Sequence, residues 1–465
     1  MIIRQLIVSA LVVISCSVKS QTLDYYDQLN QSAQYGDARF NGLAGSMTAM
    51  SGSFTALALN PAGAALYRQD AFGMDLGIFT KRNTLENGSV RGNTTTMNVG
   101  NVGFLGRDPV SGWNFFFTYN SDQLYRERLR DTRLNTGSMT QQWMDRSEGT
   151  PPDFLPELGA YEDLLYQSYA TDYDVNTQSY NSTANLSDVD FQHIYFRKGM
   201  RNRWSFGGGN ALGKTLYYGA AVQLVHSFET VEIEHDETYN STTDLASLEL
   251  TDYWNNNAIG ISANLGVLYR PVQFLRLAAA LELPQVYAFS QDWEVDLRAV
   301  RPSVSASETS AEGYGEEYMW SMMTAPKLRS GATLVLGRLG LITLNHALIP
   351  HAWSASISRN ERYLNPIIDA SLANQHLIST GGEMRIGLVT LRAGAGYSPS
   401  YREAFGDYWR TGAGASIRID DATFHLSWSR ITQQTQYYPF SADYIDPLTY
   451  TTMETMVSFG ALWKF

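Results

Sequence analysis

The sequence predicts an all-β protein, a transmembrane antiparallel β-barrel of about 14 strands with an N-terminal hatch plugging the lumen. Three observations lead to this prediction. Beyond residue 70, most segments alternate apolar and polar residues with a period of two, which is typical of strands whose two faces meet different surroundings. The connections between these segments alternate between long and short. Ahead of the first strand, residues 42–68 are rich in Gly, Ala, Ser and Thr and carry almost no charge.

Residues 1–20 are predicted to be a signal peptide. Arg4 precedes an apolar core at 6–14, and small residues end the segment. Cys16, the only cysteine of the chain, falls inside it, so we expect no disulfide, thiolate nucleophile or cysteine-based metal site in the mature protein. An alternative is that residues 13–16 form a lipoprotein box in which Cys16 carries a lipid anchor.

Residues 21–69 are assigned to an N-terminal segment and lumenal hatch. The hatch contains Asn60, Pro61, Ala62 and Gly63, a turn sequence that interrupts either a helix or a strand. Small side chains let the backbone approach neighbouring structure closely. We therefore predict that the hatch fills the interior of the barrel and that these four residues form its gate.

Residues 70–465 are predicted to form the barrel, with a long surface insertion at about 121–187. Strands are expected near residues 72–78, 91–105, 112–120, 188–209, 214–236, 250–270, 273–300, 318–337, 340–357, 371–387, 389–398, 407–420, 422–438 and 450–465. Long connections are expected near 82–90, 121–187, 237–249, 301–317, 358–370, 399–406 and 439–449, and short ones near 106–111, 210–213, 271–272, 338–339, 388 and 421. Short turns at one end and longer loops at the other are typical of bacterial membrane barrels.

The facing of the last strand supports the same fold. Phe459 and Trp463 fall on one face, whereas Ser458 and Lys464 fall on the other. An apolar outer face and a polar inner face suit lipid outside and a partly wet lumen inside. Because unpaired backbone groups cannot face lipid, such strands have to close into a ring.

The insertion at 121–187 is polar, with one or two amphipathic helices predicted near 152–169. Two interpretations stay open. The insertion is either a lid whose apolar side packs on the barrel rim or a binding site for a hydrophobic ligand at the cell surface. The candidate residues for such a surface hydrophobic site are Phe154, Leu155, Leu158 and Leu165.

The hatch motif Asn60-Pro61-Ala62 lies soon after the predicted signal peptide and just before the first predicted strand. Together with the hairpins that follow it over most of the mature chain, this motif indicates a known family. The sequence resembles the long-chain fatty-acid and aromatic-hydrocarbon outer-membrane transporters (FadL/TodX type). The resemblance implies a hatch inside a fourteen-stranded barrel in the outer membrane of a Gram-negative cell. It also implies passive uptake of small hydrophobic molecules, such as long-chain fatty acids or aromatic hydrocarbons.

One feature departs from that family, in which a kinked third strand opens the wall towards the bilayer. Residues 113–120 contain no Gly or Pro to make such a kink. Gly100, Gly103 and Gly106 of the second strand are better candidates for a bulge. Lateral release of a ligand therefore does not follow from the resemblance alone.

A function of another class is also open: a non-transporting outer-membrane barrel that acts as a partner or secretion-shuttle module at the cell surface. The expected contacts of the chain are outer-membrane lipid and a hydrophobic small molecule, and a protein partner is left open. Nucleic acid is excluded by the acidic balance, since the formal net charge is −12.

Catalysis and metal binding are not expected, and no cofactor is implied. Phosphate-binding loops, nucleophile elbows and zinc-protease helices have no counterpart in the sequence. His425 and Ser427 share a predicted lumen face, but a polar wall produces such neighbours by chance. The acidic cluster around His235 alternates along a strand, so its side chains point to opposite faces.

Lumen-facing arginines are the remaining candidates for ligand chemistry. Such a guanidinium can bind the carboxylate of a ligand through charge-assisted hydrogen bonds. The alternative is internal pairing with lumenal acids such as Glu282 or Asp75. The three arginines predicted to face the lumen are Arg276, Arg392 and Arg418.

Overall fold

The computed structural model describes residue 26 and residues 28–32, 34–85, 89–304 and 310–465. The predicted signal peptide at 1–20, with Cys16, lies outside these residues. Among the helices that are described, none combines the length and the apolar character needed to cross a bilayer.

Fourteen antiparallel strands form one closed ring in the described chain, which confirms the predicted barrel. Each strand pairs with the next along the chain, and the last pairs with the first. The strands are β1 Ala71–Leu85, β2 Val90–Arg107, β3 Asn114–Thr136, β4 Val189–Leu212, β5 Leu216–Tyr239, β6 Ser247–Val272, β7 Leu275–Glu282 with Val286–Val300, β8 Ser310–Met323 with Lys327–Val335, β9 Gly340–Pro350, β10 Asn374–Ile386, β11 Val389–Ser398, β12 Phe405–Ile419, β13 Ala422–Tyr437 and β14 Leu448–Lys464.

Helices lie before the first strand and in the loops. They are α1 Ala38–Gly42, α2 Phe54–Leu59, α3 Met139–Ser147, α4 Leu155–Leu158, α5 Ala160–Gln167 and α6 Asn365–Ser371, with 3-10 turns at Pro61–Leu66, Pro152–Phe154, His351–Trp353 and Arg359–Leu364. Residues 26 and 28–30 are also helical, and the loops contain a small hairpin, Asp172–Asp174 with Ser179–Asn181, and the short strand Ala355–Ser356.

An apolar belt surrounds the end of the barrel at which the short turns lie. On β6 the outward side chains from Tyr269 to Ile259 are apolar, and both residues are about half exposed. The next outward positions, Asn257 and Asn255, are polar. On β5 the belt runs from Tyr218 to Phe228, with His226 as the one polar residue among its outward side chains. Above it the strands continue as a polar wall towards the long loops.

The third strand is longer than predicted. It continues to Thr136, so the insertion occupies residues 137–188 instead of beginning at 121. The polar residues that indicated a loop face the lumen: Glu127 pairs with Lys81 at 3.3 Å, and Asp131 pairs with Arg133 at 2.8 Å. The same extension of β1 and β2 reduces their connection, expected over 82–90, to 86–89.

Two neighbouring strands predicted to be continuous are broken at the same level. The breaks, at 283–285 in β7 and 324–326 in β8, contain Pro284 and Pro326. Proline has no backbone N–H to donate to a ladder, so pairing stops there. The break leaves the backbone N–H of Ala325 without a ladder partner. This N–H donates instead to the Oδ1 of Asn30, which lies inside the barrel, at 2.7 Å.

Candidate functional site: the lumenal plug and its wall

Residues 34–68, here called the plug, lie inside the ring and are mostly buried. Two short helices are fastened to each other through one carboxylate. Asp37 caps α1 by accepting from the N–H of Phe40 at 2.9 Å, and it also accepts from the hydroxyl of Ser53 and the N–H of Thr55. Ser53 in turn caps α2. The sequence forms these helices because each has an oxygen-bearing side chain at its N-cap.

An ion pair joins the plug to the wall on the β10 side. Arg39 donates through Nε and Nη2 to both carboxylate oxygens of Glu383, each at 2.7 Å, and through Nη1 to the carbonyl of Ser51. Arg392 lies 3.4 Å from the same carboxylate and donates to the Ser416 hydroxyl at 2.7 Å. The bidentate geometry fixes the orientation of the plug as well as its position.

The predicted gate residues form the turn between α2 and the following 3-10 turn. Asn60 donates from Nδ2 to the carbonyl of Thr48 at 2.8 Å and accepts at Oδ1 from the N–H of Ala62 at 3.2 Å. Pro61 occupies the first position of the 3-10 turn, where no N–H is needed. Gly63 stands close to the carbonyl of Met50, 3.1 Å from where a Cβ would be. The motif therefore holds two segments of the plug together.

The wall opposite this turn supplies amide side chains that bind plug backbone. Asn264 donates to the carbonyls of Ala58 and Leu59 at 2.7 and 2.8 Å, and Gln223 donates to Ala58 at 2.8 Å. Asn114 does the same for the carbonyl of Ala64 at 2.7 Å. Buried carbonyls need such partners, and neutral hydrogen bonds of this kind contribute about 1 kcal/mol each.

Glycines in the wall let the plug approach. A Cβ at Gly219 would lie 2.5 Å from the carbonyl carbon of Pro61, and one at Gly266 would lie 2.0 Å from the Oδ1 of Asn60. Any larger residue at either position would push the turn away from the wall. Sequence reasoning found the small residues of the plug but missed those of the wall, although both glycines occupy lumen-facing positions of predicted strands.

A second lumenal segment, residue 26 with 28–32, here called the strip, is held by cations. Arg201 donates to the carbonyls of Gln28, Leu29 and Gln31 at 3.0 to 3.1 Å, and Lys327 donates to Gln31 at 3.2 Å. Both cations are fully buried.

These cations belong to a larger buried cluster centred on Glu282. That carboxylate pairs with Arg203 at 3.3 Å, Lys327 at 3.1 Å and Arg329 at 2.9 Å, and Asp122 pairs with Arg203 at 2.7 Å. Cations outnumber carboxylates in the cluster, and within the described chain Arg201 has only backbone carbonyls as acceptors. The sequence prediction had named Glu282 as a lumenal acid but had not identified these cations, which stand at ordinary lumen-facing positions.

The three predicted arginines are placed differently from one another. Arg392 is buried in the ion-pair network with Glu383. Arg276 is half-buried and forms no ion pair with a described residue. Arg418 is exposed near the end of β12 and donates to the carbonyl of Asp420 at 3.1 Å. The structure does not bring the three together.

The strip packs closely against the wall. A cavity bordered by Leu29, Ala258 and Phe289 has a volume of only about 10 Å³, less than one methyl group needs. Tyr26 and Leu29 pack with Tyr287, Phe289 and Trp320 on the same wall. The strip is therefore in close contact with this part of the wall.

The insertion at 137–188 packs over the end of the lumen at which the long loops lie. Trp143 and Leu165 share a buried core with inward residues of β4 to β7 and of the loop between β13 and β14. Of the predicted surface residues, Leu155 and Leu165 are buried, Leu158 is half-buried and Phe154 is exposed. The apolar side of the insertion thus faces the rim, and the candidate surface site is reduced to Phe154 with part of Leu158.

Two carboxylates above the belt fasten this insertion. Glu237 accepts from the Ser138 hydroxyl and the Met139 N–H, both at 2.6 Å. Burial alone raises the pKa of Glu237, but these hydrogen bonds and that of His235 outweigh it and hold the pKa below its usual value. Asp252 accepts from the Tyr161 hydroxyl at 2.6 Å and from the Trp293 indole at 2.8 Å. Burial raises the pKa of Asp252 to about 6 despite these donors.

No catalytic or metal arrangement forms among the described residues. The Nδ1 of His425 contacts Arg392 at 3.2 Å, and the Ser427 hydroxyl has no hydrogen-bond partner, so the two do not form a nucleophile–base pair. The cluster around His235 divides as expected, with Glu234 and Asp236 outward and Glu237 inward. In the part of the chain that is described, no group of three ligating side chains could hold a metal ion.

The wall between β2 and β3 is loosened halfway up. Their ladder extends only from Arg107↔Asn114 to Asn101↔Asn120, although both strands continue beyond it. Gly100 is the extra residue of a bulge in the β1–β2 ladder, as its sequence suggested. The irregularity of β3 falls at Asp122, between Ser121 and Gln123, without the Gly or Pro that we expected such a kink to need. Asp122 is instead held by its ion pair with Arg203.

Solved structures share this architecture. The toluene transporter TodX of P. putida is 12% identical, with a TM-score of 0.53, over 93% of this chain and 99% of that one. A FadL homologue of Pseudomonas aeruginosa is 10% identical, with a TM-score of 0.56, over 93% and 98%. The toluene transporter TbuX of Ralstonia pickettii is 11% identical, with a TM-score of 0.53, over 93% and 99%.

No protein-family model and no curated protein matches the sequence. The structural likeness covers 93% of the chain, at an identity too low to carry residue-level roles. It agrees with the resemblance that the hatch motif indicated. The chain therefore has the fold of the FadL/TodX-type transporters.

Proposed function

We propose that the protein is an outer-membrane channel for the passive uptake of small hydrophobic molecules, with the plug and the strip as its gate. The apolar belt suits a bilayer, and the polar wall above it suits the saccharide layer outside. The proteins that share the fold are transporters of toluene and a FadL homologue.

One observation carries the proposal. Two segments lie in the lumen, and several of their backbone carbonyls are bound by donors of the wall, which include Asn264, Gln223 and Arg201. These donors can bind other acceptors, so a shift of the two segments breaks no covalent bond. A ring with its own ladder keeps its shape while these segments shift.

The cation cluster favours ligands that carry a carboxylate, such as long-chain fatty acids, over neutral hydrocarbons. If the strip moves, Arg201 and Lys327 lose the carbonyls of Gln28, Leu29 and Gln31. Lys327 keeps its ion pair with Glu282, but Arg201 then has no acceptor among the described residues. A buried cation without an acceptor is costly, and a carboxylate offers two strong acceptors. The ligand then compensates for the displacement of the strip.

A disulfide across the strip tests the gate. Asn30 and Ser354 are hydrogen-bonded at 2.5 Å, and the only cysteine of the chain lies in the predicted signal peptide. We expect an Asn30→Cys/Ser354→Cys variant, expressed in a host without its own transporter, to take up labelled palmitate when reduced. Oxidation should block this uptake, and the single-cysteine variants should be insensitive.

Two results would contradict the proposal. The first is uptake that continues when mass spectrometry shows the cross-link to be complete. The second is the absence of palmitate and toluene uptake by the parent protein when it is folded in the membrane. In the second case, a co-purifying protein at stoichiometric amount would favour the partner-module alternative.

A further inference from the structure

The outer surface of the barrel above the belt is divided by charge. On β5 and β7 the outward side chains at this height are acidic and include Glu232, Glu234 and Asp292. On β3 they are Arg126, Arg128 and Arg130. Their orientation is fixed by Glu127, which lies between the first two and points into the lumen to bind Lys81.

Three cations of the basic sector are close together. Lys198 of β4 stands directly opposite Arg126, and Arg128 is two residues further along β3 on the same face. Directly paired side chains have their Cβ atoms about 5 Å apart, and neighbours on one face of a strand are about 7 Å apart. The three charged groups can therefore reach a single phosphate.

These cations form no close ion pair among the described residues, although Glu232 and Glu234 border the same groove as Arg128. Within the described residues, none of the three forms an ion pair, and the only acceptor that Arg126 reaches is the carbonyl of Tyr125, at 3.2 Å. Like charges directly opposite each other destabilise a strand pair. An external anion relieves that repulsion.

The height of the group identifies the anion. Lys198 pairs with Thr230, two residues along each strand from the register pair Met200↔Phe228 and on the side towards the long loops. Phe228 is the last apolar outward residue of the belt on β5. The three cations thus lie where the headgroups of the outer leaflet begin, and phosphate groups of lipids are concentrated at that level.

A groove adjoins the cations. It is open to the outside, has a volume of about 220 Å³ and is lined by Arg128, Ile194, Phe196, Glu232 and Glu234. Ile194 and Phe196 offer an apolar surface above the belt, where no acyl chain is expected. The C–H face of a sugar ring can contact this surface, and its hydroxyls can donate to the glutamates.

We propose that Arg126, Arg128 and Lys198 bind the phosphate of a phosphorylated glycolipid of the outer leaflet, whose sugar lies in the groove beside them. The proposal rests on the outer-membrane placement proposed above. It does not depend on uptake of a hydrophobic solute, because the site lies on the outside of the wall.

Native mass spectrometry of the full chain in detergent tests the site with diphosphoryl lipid A as the probe. We expect the parent protein to retain the lipid and an Arg126→Gln/Arg128→Gln/Lys198→Gln variant to bind it at least about tenfold more weakly. The matched control, Lys214→Gln/Arg385→Gln/Arg418→Gln, loses the same charge at the opposite end of the barrel and should bind as the parent does. Arg126→Lys/Arg128→Lys should also retain binding. Heat-modifiable migration on gels verifies that each variant is folded.

Equal binding by the parent and the triple-glutamine variant would overturn the proposal, as would an equal loss in the control. Unweakened binding of lipid A without phosphates would exclude the phosphate contact. Displacement of lipid A by millimolar inorganic phosphate would indicate a site for the free ion instead of the lipid. Since the assay contains no transport step, a failure of palmitate uptake leaves its outcome unchanged.

Discussion

The side-chain oxygen of Asn60 stands 2.0 Å from the point that a Cβ of Gly266 would occupy. The gate turn and the wall of β6 thus fit only while position 266 has no side chain. We predict that Gly266→Ala displaces the turn and weakens its docking by about 1–3 kcal/mol, the usual range for overpacking. Hydrogen exchange of residues 56–66 should become faster while the barrel stays folded. Gly106→Ala is the matched control, because its nearest neighbour is the Phe104 side chain at 3.3 Å. Unchanged exchange in Gly266→Ala would mean that the turn does not depend on this contact.

Removing the side chain of Asn60 should loosen the gate without unfolding the ring. Asn60→Ala loses the bonds to the carbonyl of Thr48 and the N–H of Ala62, each with a net value of about 0.5–1.5 kcal/mol. We expect heat-modifiable migration to persist and the rate of palmitate uptake to change. Loss of the folded barrel would instead assign the motif a purely structural role. An unaltered rate of palmitate uptake would show that Asn60 is not part of the gate.

The hold of Asp252 on the insertion should weaken as pH rises. Its folded-state pKa, raised to about 6 by burial, exceeds the unfolded value of about 3.9. The stabilisation is therefore fully present below about pH 4 and is lost as pH rises through about 6. Hydrogen exchange of α5, corrected for intrinsic rates, should show protection falling over this interval in the parent relative to Asp252→Asn.

His193 acts in the opposite sense, since burial holds its pKa well below the usual value, so acid weakens its contribution. Because His193 is present in both proteins, the difference between them isolates Asp252. Parallel pH profiles for the parent and Asp252→Asn would refute the prediction.

A charge on the outer face should be costly only within the belt. Phe459 is 54% exposed on β14 and pairs with Leu76 in the middle of the belt, whereas Thr451 faces outward nearer the long loops. We predict that Phe459→Lys costs about 2–4 kcal/mol and Thr451→Lys about 0–1 kcal/mol. Denaturant titration of both variants in lipid vesicles measures the difference. Equal costs for the two variants would show that the position assigned to the belt is wrong.

The ring was predictable because its evidence is repeated along the chain. Alternation along β14 placed Phe459 outside and Ser458 inside, and the structure agrees. The errors have local causes. Asp122 and Glu127 resemble loop residues until their partners Arg203 and Lys81 are known, and those lie on other strands. The breaks at Pro284 and Pro326 were visible in the sequence, since proline cannot donate to a ladder.

The site was predictable only on the side of the plug. Asn60 and Pro61 lie in a continuous motif, but Gly219, Gly266 and Arg201 acquire their meaning from the element opposite them. The pattern along a single strand places both glycines on the lumen face, but it does not show that the plug lies against them. The interaction of Arg201 with the strip is likewise between segments far apart in the chain.

The pairing of β1 with β14 joins the first and last strands to be synthesised, and until it forms both strands present an open edge. The plug touches opposite sides of the finished ring, since Arg39 reaches Glu383 of β10 and the carbonyl of Ala64 accepts from Asn114 of β3, seven strands away. The sheet thus curls around a segment of fixed width that precedes it in the chain. The size of the plug therefore matches the number of strands. A ring with fewer strands would not enclose the plug, and a ring with more strands would leave the backbone carbonyls of the plug without donors.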